Sequence, residues 1–197
     1  MLELVLVRHG ETDSNIRGTY CGWTDSNLNL KGKNQARRAA RKLKDIRPDF
    51  IYSSPLKRAF CTAEIINRNY GKEIICLDTL KEHNFGVWED MTHAEILEKY
   101  PDESSEWQKD WINYRIEGGE SAMEGYRRVV AFLEELINKH KNCTILIVTH
   151  SGCIRYILAH LLEMPIEGIW RFAVENGGIA RIVVNDERFA YLKGLNI

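Results

Sequence analysis

Apolar positions fall in short dense runs separated by longer amphipathic stretches. Leu2–Val7, Phe50–Tyr52, Ile74–Leu77 and Thr144–Val148 are nearly continuous apolar runs of strand length, the pattern of central strands buried on both faces. Lys31–Leu43, Pro55–Tyr70, Met123–Lys139 and Cys153–Leu162 are too long for strands and carry apolar residues at helical spacing. Strand and helix alternate, which predicts an α/β fold with a largely parallel central sheet flanked by helices. Asn29 can cap the first of these helices, Ser54-Pro55 reads as an N-cap and N1 pair, and Ser121-x-x-Glu124 is a capping box. Thr92-x-x-Glu95 starts another short helix. The stretch Thr92–Trp111, rich in Glu and Trp and ending before Gly118-Gly119, breaks the alternation. It predicts a helical insertion over one edge of the sheet, a lid-like element at about residues 92–117. After Gly177-Gly178, Ile179–Val184 and Phe189–Leu192 read as a closing strand pair. Repeats, low-complexity tracts and linkers are absent.

Length and charge then narrow the function. A chain of 197 residues predicts one domain (1–197). With 27 Lys+Arg against 28 Asp+Glu, the net charge of −1 gives no global attraction to a polyanion, so no nucleic-acid partner is expected and any anion site must be local. The five cysteines are odd in number and form no C-x-x-C pair, which predicts buried free thiols in a reducing compartment. The start, Met1-Leu2-Glu3 and an apolar stretch cut short by Arg8 and His9, lacks the marks of a signal peptide, and no apolar run reaches the ~20 residues of a membrane span. A cytoplasmic protein without a membrane partner is the expectation; the oligomeric state is not legible.

Candidate chemistry sits where the predicted strands end. Arg8-His9-Gly10-Glu11-Thr12 follows the first strand, Ser53-Ser54-Pro55-Leu56-Lys57-Arg58 the second, and Thr149-His150-Ser151-Gly152 the last parallel one. Ligands of open α/β sheets bind at the carboxyl ends of strands, so these junctions aim Arg8, His9, Arg58 and His150 at one crevice. Ser54 as N-cap would put Arg58 near the end of the first helical turn, beside free N–H groups that favour anions. Cations around equatorial oxygens and one in-line nucleophile are what phosphoryl transfer requires. The loop Leu80–Glu89 adds a carboxylate for proton transfer, and on composition Glu82, Glu89 and Glu11 compete for that role. His83, His93, His140 and His160 have no ligand spacing and read as structural or solvated. Trp23, Trp88, Trp107 and Trp111 can stack on a ring or simply pack.

Four motifs spread over most of the chain resemble the histidine phosphatase superfamily, which includes the cofactor-dependent phosphoglycerate mutases. They are Arg8-His9-Gly10-Glu11-Thr12 with Asn15, Ser54-Pro55-Leu56-x-Arg58-Ala59, Glu82-x-x-Phe85-Gly86-x-Trp88, and Thr149-His150-Ser151-Gly152. The resemblance implies a three-layer, phosphoglycerate mutase-like sandwich with His9 as the phosphorylated nucleophile. It implies Arg8, Arg58 and His150 as the catalytic phosphate pocket, with Asn15 and Ser151 as further phosphate contacts, and Glu82 as proton donor. Neither a metal nor a cofactor is implied, since the arginines and His150 would supply the positive charge.

Within the superfamily, Gly22-x-Thr24-Asp25-x-x-Leu28, Gly118-Gly119-Glu120-Ser121 and the Thr149–Gly152 form of the last motif look more like the alpha-ribazole phosphatases. Asn27 stands where a proline is usual, Asp90 where a glycine is usual, and Ser14 where mutases commonly have Trp. The implied activity is that of a metal-independent phosphomonoesterase acting through phosphohistidine on a small-molecule ester, with alpha-ribazole 5′-phosphate of cobalamin biosynthesis as the implied substrate. The alternatives are a cofactor-dependent phosphoglycerate mutase and a phosphatase of another small metabolite such as a sugar phosphate.

Overall fold

A computed structural model describes residues 1–197. Strand β1 (Leu2–Arg8) leads through α1 (Asp13–Arg17) to α2 (Leu30–Lys42), and β2 (Phe50–Ser53), α3 (Lys57–Asn67) and β3 (Ile74–Cys76) follow. Two 3-10 turns, Asp78–Leu80 and Gly86–Trp88, precede α4 (His93–Lys99) and α5 (Pro101–Lys109). Next come α6 (Ala122–Lys139), β4 (Thr144–Thr149), α7 (Ser151–Leu161), a 3-10 turn at Ile166–Arg171, β5 (Ile179–Val184) and β6 (Ala190–Leu195).

The strands form one six-stranded sheet in the order β3-β2-β4-β1-β5-β6. β3, β2, β4 and β1 pair in parallel, as crossover helices require; β5 and β6 add antiparallel. Side chains alternate across the sheet, so the inner strands feed two cores. Leu4, Leu6, Ile145, Ile147 and Ile182 join Leu133 of α6 and Ile157 of α7 in a cluster of 27 buried residues. Val5, Val7, Ile51, Leu146 and Val148 meet Ala39 of α2 with Ala63 and Ile66 of α3 in a second cluster of 11. The predicted three-layer sandwich is thus present, with the sheet as its middle layer.

Several local expectations change. The run Ile74–Leu77 is not a central strand: β3 has three residues, pairs only with β2, and none of them is fully buried. Helix α3 starts at Lys57 with Leu56 as N-cap and no side-chain cap bond, so Ser54 and Pro55 are not its cap and N1 residues. Arg58 is therefore its second residue. Ser54 Oγ instead accepts from Leu56 N–H (3.3 Å) inside the preceding loop. Asn29 caps α2, and Thr92 and Ser121 form the expected capping boxes with Glu95 and Glu124. Helix α1 was not anticipated, although Thr12 and Asn15 box its start and Gly18 ends it at φ 69°. All five cysteines are free, but only Cys153 is buried and Cys76 is exposed.

Residues 92–117 share a small core with the turn that precedes them. Trp88, Ile96 and Ile116 are buried together, with Tyr100, Trp107 and Tyr114 packed around them. No helix is long and apolar enough to cross a membrane.

Candidate active site

Parallel pairing of β1, β4 and β2 brings three strand ends to one rim, and backbone bonds fix what stands there. His9 N–H donates to Thr149 O (3.0 Å), Ser54 N–H to Val148 O (3.0 Å), and Gly177 N–H to the carbonyls of Arg8 and His9 (both 3.1 Å). Gly10 lies directly against Gly32, whose carbonyl a Cβ at position 10 would strike. The imidazoles of His9 and His150 meet edge to face, with ring centroids 5.1 Å apart. Both are buried.

Hydrogen bonding sets the tautomers. His9 Nδ1 lies 2.7 Å from Gly10 O, and a carbonyl only accepts, so Nδ1 carries the hydrogen and Nε2 keeps a lone pair. Burial, then Arg58 and Arg8, hold the His9 pKa well below the ordinary histidine value, so the ring is neutral near pH 7. His150 Nε2 is 2.8 Å from Ser54 Oγ. Because that hydroxyl already accepts from Leu56 N–H, the arrangement that satisfies it has Oγ donating to Nε2, with the hydrogen of His150 on Nδ1. Burial, followed by Arg58, His9 and Arg8, also keeps His150 well below its usual pKa. Burial thus disfavours charge on His150, while Arg8 and Arg58 bring two guanidinium groups to its side of the pocket.

Arg58 is only 1% exposed. Its Nη1 donates to Thr24 O (2.7 Å), and its Nη2 to Gly22 O (2.5 Å) and Cys21 O (3.3 Å), so the Gly22-x-Thr24-Asp25 motif serves as the arginine's clamp. Asp25 braces the same corner by accepting from Lys57 N–H (2.8 Å). Arg8 Nη1 donates to Val174 O (2.6 Å). Arg8 Nε, Arg58 Nε and His150 Nδ1 are buried without a protein partner. Three such groups beside the His9 ring suit an oxyanion, since a buried polar group without a partner is otherwise unfavourable.

The three competing carboxylates now separate. Glu11 accepts from Asn29 and Lys31 at the start of α2. Glu89 accepts from the backbone of Gly22, Trp23, Thr24 and Phe85 and from the Thr24 hydroxyl, a structural hub. Glu82 alone of the three lines the cleft beside the pocket; its Oε2 accepts from Gly152 N–H (3.1 Å) at the N-terminus of α7, and its Oε1 from His83 N–H (3.0 Å). A Cβ at position 152 would collide with the Glu82 carboxylate, so glycine there lets the acid approach.

Asn15 Oδ1 accepts from Thr12 N–H and Asn176 Nδ2 (both 3.1 Å), leaving its amide donors for an anion. Ser151 lines a cleft of about 160 Å³ with Glu82, Trp107 and Trp111. Of the other named tryptophans, Trp88 is core and Trp23 donates to Glu82 O (3.0 Å). The cleft also holds Arg155 and Trp170, which the sequence did not single out, and His83, which the sequence reads as structural or solvated. Arg155 lies one turn beyond Ser151 on α7, a spacing that could have marked it; Trp170 sits in an irregular turn and had no such signal. Arg155 Nε donates to Phe172 O (2.9 Å), and its guanidinium lies 5.2 Å from the Trp170 ring centroid. Asp90, at φ 58° where a glycine is usual, accepts from the Ser14 and Thr19 hydroxyls (3.1 and 2.9 Å), which ties the loop after Trp88 to α1.

Comparison with known proteins agrees with this geometry. Residues 4–196 match the model of the histidine phosphatase superfamily (branch 1). Phosphoserine phosphatase 1 of Hydrogenobacter thermophilus is 37% identical over 100% of this chain and 93% of its own. The adenosylcobalamin/alpha-ribazole phosphatase of Escherichia coli K12 is 32% identical over 99% of this chain and 96% of its own. The crystal structure of the alpha-ribazole phosphatase from Shigella flexneri superposes with a TM-score of 0.93 at 33% identity, covering 99% of this chain and 96% of that one. A strand-end pocket of this make-up, matched over nearly the whole chain by phosphatases, places the protein in branch 1 of the histidine phosphatase superfamily as a phosphoric monoester hydrolase.

Proposed function

We propose that His9 Nε2 attacks the phosphorus of a small-molecule phosphate ester. Arg8, Arg58, His150 and the Asn15 amide hold the non-bridging oxygens, with Ser151 at the mouth of the pocket. As the N–P bond forms, the ester P–O bond breaks, and Glu82 in its acid form gives its proton to the departing oxygen. Water then attacks phospho-His9, Glu82 takes a proton from it, and the N–P bond breaks to release phosphate. The observation that carries this reading is the neutral His9 with its lone pair on Nε2, set among three buried donors with no protein partner. Residues 92–117 serve as the lid, and the five unpaired thiols fit a reducing cytosol.

For the substrate we favour a ring-bearing 5′-phosphate of the alpha-ribazole phosphate type. Trp107, Trp111 and Trp170 wall the cleft next to Glu82, and such indole faces gain most from a planar leaving group. A second reading, phosphoserine, rests on the 37% identical relative and on Arg155, a guanidinium in the cleft that would suit a carboxylate.

The test is free phosphate release without a bisphosphate primer, measured side by side for alpha-ribazole phosphate, phosphoserine and 3-phosphoglycerate. The expected order puts alpha-ribazole phosphate first by about tenfold or more in kcat/KM, equal to roughly 1.4 kcal/mol of transition-state binding. Phosphoserine ahead by that margin selects the second reading, and turnover of 3-phosphoglycerate only with primer would make the protein a mutase.

A further inference from the structure

Glu82 lies in a stretch without regular structure, between the 3-10 turns Asp78–Leu80 and Gly86–Trp88. Loop backbone needs partners of its own, and here one side chain reaches three of its carbonyls. Arg128, in the second turn of α6, donates from Nη1 to Thr79 O (2.8 Å) and Lys81 O (2.9 Å), and from Nη2 to Glu82 O (3.3 Å). Its other edge forms a two-point ion pair with Glu120, from Nη2 to Oε1 (2.6 Å) and from Nε to Oε2 (3.2 Å). Glu120 in turn accepts from Asn84 N–H (3.0 Å) and donates its own N–H to Asn84 O (3.0 Å). Both flanks of Glu82 therefore converge on one largely buried ion pair at the start of a capped helix.

We infer that Arg128, locked by Glu120, is the positioning residue for Glu82: it fixes the backbone from which the carboxyl group reaches the leaving oxygen and takes no part in the chemistry itself. The inference rests on Glu82 being the proton donor. Three independent contacts already hold the loop's other side to β4 and α7: Thr149 Oγ1 to Leu80 O (2.7 Å), Cys153 Sγ to Lys81 O (3.0 Å) and Gly152 N–H to Glu82 Oε2. Without Arg128 the loop stays attached through these contacts and through Trp23 Nε1, which still donates to Glu82 O (3.0 Å), but its tie to α6 is lost. General acid catalysis demands placement within a fraction of an ångström, so the loss falls on proton delivery and not on nucleophilic attack. A planar guanidinium satisfies three carbonyls and a carboxylate together; a lysine ammonium cannot.

The experiment compares, in single-turnover assays, the rate of leaving-group departure from an alkyl phosphate, whose alkoxide needs a proton to leave, with that from p-nitrophenyl phosphate, whose phenolate does not, because the later hydrolysis of phospho-His9 also uses Glu82 and would enter kcat for both. Arg128→Met and Arg128→Lys should slow the alkyl ester by about tenfold or more while p-nitrophenyl phosphate changes by less than about threefold. Combined with Glu82→Gln, which should itself slow the alkyl ester selectively, Arg128→Met should add less than about twofold, since both changes remove one function. Equal slowing of both esters, or full additivity in the double variant, overturns the inference and leaves Arg128 as general scaffolding. Glu120→Gln keeps the shape of the clamp but removes its charge, so it decides the matter if Arg128 variants fold poorly. Were Glu82→Gln itself to slow both esters alike, the assignment of the acid would fall first, a result separable from any measured on Arg128.

Discussion

The proposed phosphate pocket and the proposed leaving-group cleft meet at Glu82 but are built in opposite ways. Arg58, His9 and His150 stand at the ends of β1, β2 and β4 or on the helices that follow, with 4% exposure or less, directly above the two large cores. Their positions follow from strand register, in which Arg8 pairs with Thr149 and Ser53 with Val148. The cleft is walled by loops, by the insertion with the three-residue core it shares with the preceding turn, and by Trp170, which is 59% exposed. A pocket made by register cannot shift one residue without flipping its strand, whereas a wall made of loop side chains can change residue by residue. The comparison teaches how one fold can hold the oxyanion pocket fixed while leaving the cleft beside it free to vary, and the relatives this chain resembles are named for different substrates, phosphoserine and alpha-ribazole phosphate.

The hardest test of the fixed pocket is removal of its nucleophile. His9→Ala should lower turnover of every phosphate ester by at least about 10⁴, because no neighbour is placed to replace Nε2 and the stepwise route through a covalent intermediate is lost. Rapid-quench mass spectrometry of the unaltered enzyme should find acid-labile phosphate on His9. Phosphate trapped on another side chain, or a variant that retains a tenth of its activity, would break the claim that the pocket is specialised around this one atom.

A smaller effect should appear in acid, where the pocket becomes a liability. His9 and His150 are buried and neutral with folded pKa values well below the ordinary one, so the unfolded chain binds protons more readily as pH falls below about 6.5. The stability contributed by keeping these rings neutral is complete above that value and is lost as pH falls toward the folded pKa. The limiting slope is roughly 1.4 kcal/mol per pH unit for each imidazole. Urea titrations between pH 7 and 5 should show His9→Asn losing stability with about one proton less dependence than the unaltered protein. His83 and His140, also shifted downward by burial, contribute to both proteins and cancel in the difference. Identical slopes would mean that His9 is already protonated in the folded protein.

The same contrast explains what the sequence revealed. Central strands were legible because Leu2–Val7 and Thr144–Val148 are apolar on both faces, and the chemistry was legible because Arg8, His9 and His150 come at their ends. The β3 run looked equally apolar, yet a short edge strand with one neighbour carries the same local pattern as a buried one. Ser54-Pro55 has the composition of a helix start, but the Ser54 hydroxyl is engaged by His150, and the helix begins three residues later. Composition left Glu82, Glu11 and Glu89 equal and only the resemblance favoured Glu82; the partners of the other two separate them in physical terms. Arg155 and Trp170 belong to the cleft, whose members meet through tertiary packing without a shared period.

The mildest expected effect bears on the cleft alone. Trp170 presents an exposed indole at the rim, edge to face with Trp111 at 5.5 Å between centroids and with the Arg155 guanidinium near its ring. An exposed indole beside an active site offers a stacking surface, and such a contact contributes about 0.5–1.5 kcal/mol beyond the area it buries. Trp170→Ala should therefore raise KM for a ring-bearing ester by about three- to tenfold, with kcat nearly unchanged, because the contact is made equally in the ground and transition states. Phosphoserine, with no ring to stack, should lose less than about twofold. Trp107→Ala is the less suitable probe because Trp107 also packs against Trp88, 6.0 Å away between centroids, and its loss would loosen the core they share. A uniform rise in KM for both substrates would show that Trp170 shapes the cleft without reading the ring. A fall in kcat would tie the rim to the chemistry and so break the separation between the fixed pocket and its adaptable wall.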